Sequence, residues 1–120
     1  MAIATKHRRR ISVKGRNFLW YVREDDEHFF LPMLHVISKD KRFIVAYLLN
    51  QCDTTRHLVV KVHEFPGLPE AGHCWKRALC PRWEIGSTIT PASVRQLIEW
   101  CFDPNRRLTL VDWMGNPLKN

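Results

Sequence analysis

A single amphipathic helix, predicted near the end of the chain, limits the architectures open to this sequence. Thr90 is a favoured N-cap residue, and Pro91 suits the first helical position. Apolar residues then recur at the spacing of one helical face, namely Val94, Leu97, Ile98 and Cys101. Residues 103–105, Asp-Pro-Asn, end the helix. A helix with one apolar stripe must bury that stripe against another layer of the fold.

β-rich runs supply that second layer. Residues 11–13 and 18–22 predict a hairpin, closed by a two-residue type II′ turn at Gly15-Arg16. In this register Val13 pairs with Phe18, and the large apolar side chains of the hairpin share one face. Further strands are predicted at residues 34–38, 43–49, 57–63 and 108–113.

The pattern as a whole predicts a two-layer α+β fold. A mostly antiparallel sheet of five or more strands carries one main amphipathic helix packed on it. We expect residues 10–120 to form a single domain and residues 1–9 to form a flexible basic arm. Residues 64–88 are rich in Pro and Gly, and within them we expect a short helix at 70–79 and a short strand at 82–85.

The net charge of +7 is unevenly distributed. The excess of basic residues lies within residues 1–23, and the remaining chain is balanced. Hydrophobic content of 45% excludes a disordered chain. Because the apolar runs are short, we expect no membrane span and no signal peptide. We therefore expect a cytoplasmic protein with reduced thiols at Cys52, Cys74, Cys80 and Cys101.

Two segments resemble a known group of proteins. Residues 11–22 follow the pattern I-x-V-x-G-R-x-F-x-W-x-V, and residues 90–100 follow T-P-x-x-V-R-x-L-I-x-W. With the piece from Glu64 to Pro69, running on to Cys74-Trp75, the chain resembles a family of small uncharacterised bacterial proteins over most of its length. The family has no established function, so the resemblance implies the same fold and adds nothing about function.

The leading functional hypothesis concerns the basic first hairpin. Arginine and lysine neutralise phosphates, and an aromatic ring among them can stack on a base. The sequence therefore predicts a non-catalytic binding module that contacts nucleic acid or another polyanion, with seven candidate residues: Arg8, Arg9, Arg10, Lys14, Arg16, Tyr21 and Arg23. The alternative is an ordinary solvated surface, partly screened by the acidic run at residues 24–27.

A protein-interaction surface is the second hypothesis. Tryptophan and arginine are favoured anchors of protein interfaces. The irregular segment 64–88 combines them, which predicts a structural or homo-oligomeric interface at Trp75, Lys76, Arg77, Arg82 and Trp83. The alternative is that these rings cover a small core, as we expect for Trp20.

Metal binding and thiol catalysis are disfavoured by residue spacing. Capable ligands are present, but no standard zinc pattern joins them: Cys52, His57, His63, His73, Cys74 and Cys80. A thiol enzyme would use Cys74 with His73 as its base, although neighbouring residues seldom point toward each other. We expect no metal, no cofactor and no catalytic activity.

Overall fold

The computed structural model describes residues 8–25, 31–61, 64–68 and 75–118. These residues form one antiparallel sheet of seven strands in sequential order and one helix between the last two strands. The α+β fold with its helix packed on the sheet is thereby confirmed. The elements are β1 (Arg9–Val13), β2 (Arg16–Asp25), β3 (Leu31–Ser38), β4 (Ile44–Leu48), β5 (His57–Val60), β6 (Lys76–Leu79), α1 (Pro91–Phe102) and β7 (Leu110–Val111).

The first hairpin has a different turn from the one predicted. Lys14 and Gly15 both have positive φ, at 50° and 79°, which is the conformation of a type I′ turn. Val13 therefore pairs with Arg16, and Phe18 pairs with Ile11. The prediction was wrong by two residues in register. A shift of two residues leaves every side chain on its expected face.

The helix begins and packs as predicted. The Thr90 hydroxyl accepts a hydrogen bond from Ser93 N at 3.2 Å, and Pro91 opens α1. The apolar stripe of α1 is buried in the same core as Phe18, Val36 and Val45 on β2, β3 and β4. The face of the sheet that carries these side chains is called the helix face below.

The irregular segment completes the core on the helix face. Phe65 and Trp83 are buried, and each makes an edge contact with Trp100, at ring-centroid distances of 6.4 and 5.6 Å. Of the short helix predicted at residues 70–79, residues 70–74 lie outside the described ranges. The prediction is wrong for its last part, because residues 76–79 form β6. The strand predicted at 82–85 is absent from the described residues apart from a single bridge between Ile85 and Thr88.

A buried carboxylate ties this segment to the sheet. Glu84 is 4% exposed, accepts a hydrogen bond from the Tyr47 hydroxyl and accepts another from Asn50 N at 2.6 Å. Burial opposes ionisation of Glu84, but its hydrogen bonds from Tyr47 and from backbone N–H groups, together with the charge of Arg82, outweigh burial and hold the pKa of this carboxyl below its usual value. The ionised form of Glu84 therefore stabilises the fold.

The predicted basic arm falls mostly outside the described residues, and Arg9 is already the first residue of β1. The last predicted strand is shorter than expected, because only Leu110–Val111 pair with β6. Within the described ranges, no helix has the length and apolar content needed to span a bilayer.

Candidate functional site on the open face of the sheet

Alternation along the strands leaves a second face of the sheet, opposite α1, and this face is called the open face. A row of side chains crosses it on five adjacent strands, each directly opposite the next. None of the described helices or strands covers the row. In order from β2 to β6 it consists of Tyr21, His35, Ala46, Val59 and Arg77.

A groove of 550 Å³ lies on this face. Its lining combines rings with positive charge: Tyr21, His35, His57, Trp75 and Trp113 supply the rings, and Arg23, Lys61 and Arg77 supply the cations. Four strand spacings separate Tyr21 from Arg77, which makes the groove about 19 Å across. Such a shape suits an extended ligand better than a compact one.

Among the described residues, the lining of the groove carries an excess of positive charge. It holds three cations against one carboxylate, Glu24, at the rim of the sheet. Within the described parts of the chain, Arg23, Lys61 and Arg77 form no ion pair. Unpaired cations that share a low-dielectric surface raise the local potential and attract anions.

The Tyr21 ring already contacts other side chains of the open face. Its ring stacks on His35 with 4.8 Å between ring centroids, and the Arg8 guanidinium lies 5.3 Å from the centre of the same ring. The residue is only 8% exposed. Tyr21 therefore forms part of the floor of the groove, and it does not offer the free ring face that the sequence hypothesis assigned to it.

Trp75 is much more exposed than Tyr21. It immediately precedes β6 and lies across from Lys61, which immediately follows β5. The Lys61 ammonium sits 4.6 Å from the centre of the Trp75 ring, yet Trp75 is 54% exposed. An exposed ring and a cation are thus held as one unit at the groove.

Trp113 lies on a tight turn that follows β7. The Asp112 carboxylate accepts hydrogen bonds from Met114 N at 2.9 Å and from Asn116 N at 3.0 Å. Gly115 has a φ of +85°, and it packs directly against Thr55 and His57. This turn brings Trp113, which is 73% exposed, to the lining of the groove.

Gly115→Ala is expected to destabilise the fold by about 2–4 kcal/mol. The positive φ accounts for about 1 kcal/mol, and the added Cβ would collide with the Thr55 carbonyl oxygen. Gly86→Ala is the matched control, because Gly86 also has a positive φ but no atom lies within 4 Å of its Cβ position. Urea unfolding measures both variants, and equal losses would contradict the close packing of this turn.

The seven predicted anion-binding residues are divided by the sheet. Arg8, Arg10, Tyr21 and Arg23 belong to the open face. Arg9 lies on the helix face, with its guanidinium 5.6 Å from the centre of the Trp20 ring. Arg16 and Lys14 also fall away from the open face.

The Arg16 guanidinium is already paired with two carboxylates of the fold. It donates to Glu64 with 2.8 Å between Nη1 and Oε2, and it also pairs with Asp40. The hydrogen bond to Glu64 raises the pKa of Arg16 despite partial burial. Lys14 lines a small pocket beside Arg16 and Glu99 of α1, on the helix face.

The predicted protein-interface residues are separated in the same way. Trp75 and Arg77 line the groove, whereas Lys76 has the opposite strand parity. Trp83 is 5% exposed and belongs to the core, which corrects its assignment to an interface. Arg82 is exposed but donates to backbone carbonyls, with 2.8 Å to Gly86 O.

No metal centre is found among the described residues, where no three His, Cys, Asp or Glu side chains form a suitable group. His63, His73 and Cys74 lie outside the described ranges, so the thiol site is not represented. His57 Nδ1 is 2.8 Å from the Thr55 carbonyl oxygen, which only accepts, so Nδ1 carries the proton. Burial raises the pKa of the Cys80 thiol well above its usual value.

Sequence reasoning did not identify His35, Lys61 and Trp113 as members of the groove. His35 lies between the buried residues Leu34 and Val36, and Lys61 follows the buried residue Val60, which is the signal of a strand with one solvated face. Trp113 gave no such signal, because its position depends on the turn at residues 112–115 packing against β5.

No protein family, curated protein or solved structure matches this chain. The resemblance to small bacterial proteins stays a prediction.

Proposed function

We propose that this protein is a non-catalytic nucleic-acid-binding module that holds its ligand in the groove of the open face. The observation that carries the proposal is a set of three cations, Arg23, Lys61 and Arg77, which form no ion pair with any described residue and share one groove with exposed rings. Phosphate contacts supply most of the affinity of such proteins, and lysine and arginine provide them.

A ligand bound in the groove would lie away from the turn of the first hairpin. Arg8 and Arg10 extend the cationic surface from the groove to the edge strand β1. A ligand that crosses the groove toward β1 would meet both. The other basic residues of the hairpin, Arg9, Lys14 and Arg16, lie on the helix face. We also propose a cytoplasmic location, in keeping with the free thiols of Cys52, Cys80 and Cys101.

Salt dependence tests this proposal. Three phosphate contacts from the groove cations predict that the logarithm of the association constant falls with the logarithm of salt concentration, with a slope of about −2 for a single strand. Binding should then weaken about 20-fold between roughly 50 and 200 mM salt. Fluorescence anisotropy of a labelled oligonucleotide measures the association constant at each salt concentration. Undetectable binding at about 50 mM salt would reject the proposal.

Self-association is a second candidate function, favoured by a separate observation. Three apolar residues near the C-terminus are more than half exposed: Trp113, Met114 and Leu118. Exposed apolar patches mark protein interfaces in many soluble proteins. Light scattering over a range of concentrations tests this candidate, and a monomer at every concentration would reject it.

A further inference from the structure

We infer that the groove prefers single-stranded nucleic acid to duplex, because Trp75 and Trp113 offer ring faces on which unpaired bases stack. This inference rests on the proposed function and specifies its ligand. The chemistry is shared by single-stranded RNA and single-stranded DNA, since both combine phosphates with bases whose faces are free.

The exposure of the two rings is the first support. Among the tryptophans, Trp20 and Trp83 are buried in the core, whereas Trp75 is 54% exposed and Trp113 is 73% exposed. Both exposed rings line the same cationic groove. A ring left in water beside unpaired cations is the arrangement by which proteins hold single strands, with stacking for the bases and charge for the backbone.

The pairing of Lys61 with Trp75 is the second support. The ammonium lies over one face of the ring, 4.6 Å from its centre, so a base would stack on the opposite face with a cation close to its backbone. Arg77 lies on the strand that Trp75 precedes, and it extends the positive charge toward the centre of the sheet. One nucleotide would thus meet both kinds of contact.

The structure of a duplex explains the expected preference. Inside a double helix each base is covered on both faces by its neighbours, so the tryptophan rings would gain nothing from it. A duplex would keep only the phosphate contacts with Arg23, Lys61 and Arg77. The tryptophans should therefore raise the affinity for single strands alone, whereas the cations should contribute to the affinity for both ligands.

Binding of four ligands to the full chain tests the inference. Labelled oligonucleotides of about 12 nucleotides, as single-stranded DNA and single-stranded RNA, are compared with the corresponding DNA and RNA duplexes by fluorescence anisotropy. The variants are Trp75→Ala, Trp113→Ala and Trp75→Tyr. Ile85→Ala is the matched control, because Ile85 is 72% exposed and lies outside the groove lining.

We expect wild-type protein to bind both single strands more tightly than the duplexes. Each tryptophan-to-alanine change should weaken single-strand binding roughly 5- to 150-fold and leave duplex binding unchanged. Trp75→Tyr should retain most of the affinity, since tyrosine keeps a stacking face, and Ile85→Ala should have no effect. Circular dichroism verifies that each variant is folded.

Four results would overturn the inference. Equal affinity for single strands and duplexes, or alanine variants that match wild type, would remove the stacking role while the phosphate contacts of the proposed function stand. A loss of single-strand and duplex binding together in Trp75→Ala would assign the residue to structure. No binding of any oligonucleotide at low salt would overturn the proposed function as well.

Discussion

Reversal of two groove charges, by Lys61→Glu together with Arg77→Glu, is expected to weaken oligonucleotide binding about 100- to 1,000-fold. Each substitution replaces an attraction to phosphate by a repulsion, and one unit of charge at 4 Å in water contributes about 1 kcal/mol. Both side chains are half-buried in the groove lining, where solvent screens them less than it screens a free surface charge. Anisotropy titration at low salt measures the loss.

The control variant carries the same change in net charge at other positions. Lys41→Glu together with Arg107→Glu alters two exposed residues outside the groove lining. It should retain affinity to within about 10-fold, because distant charges are screened by salt. If the two double variants lose equal affinity, binding depends on total charge alone and the groove has no special role.

Glu84→Ala is expected to lower the free energy of unfolding by about 3–5 kcal/mol. The carboxylate accepts from the Tyr47 hydroxyl and from Asn50 N, and both donors would lose their partner in the variant. A charge-assisted hydrogen bond contributes about 1.5–3 kcal/mol, and an orphaned buried donor is costly. Urea unfolding followed by circular dichroism measures the change. A loss below about 1 kcal/mol would contradict the role of this carboxylate.

The pH dependence supplies an independent check on Glu84. Its pKa is lower in the fold than the usual 4.5, so its stabilising contribution is complete above that pH and is lost as pH falls through the folded pKa. The stability difference between wild type and Glu84→Gln should therefore shrink as the solution is acidified below about 4.5. A difference that is constant with pH would place the effect in packing alone.

The helix and the faces of the strands could be predicted because local patterns determine them. Thr90, Pro91 and the apolar stripe specify where α1 begins and which side it buries. The hairpin faces survived an error of register, since a two-residue shift keeps alternation in phase. Both features depend on the chemistry of neighbouring residues in sequence.

The position of β6 could not be predicted in the same way. The segment 76–79 has no strong strand signal of its own, and its pairing with β5 and β7 depends on contacts across the whole sheet. Taking this segment for a helix removed Arg77 from the sheet. The groove therefore could not be predicted from the sequence, because its cations and rings come together only when β5, β6 and the turn at 112–115 are adjacent.

The sequence predicted the residue types of the candidate site, basic side chains with an aromatic ring, but it placed the site at the wrong position in the fold. Basic residues with an interleaved aromatic were identified in the first hairpin, but Tyr21 is enclosed by His35 and Arg8. Arg16 is paired with Glu64. Competition of this kind, in which a charged or aromatic side chain is used by its own fold, depends on tertiary contacts that a sequence pattern does not contain.

The central claim is that ligand binds on the open face, and the five tryptophan indole N–H signals test it in one spectrum. In a heteronuclear NMR titration of isotope-labelled protein with a short single-stranded oligonucleotide, we expect the signals of Trp75 and Trp113 to shift. The signals of Trp20, Trp83 and Trp100, which pack in or against the core on the helix face, should stay in place. Shifts confined to the latter three, or no shift at saturating ligand, would contradict the account.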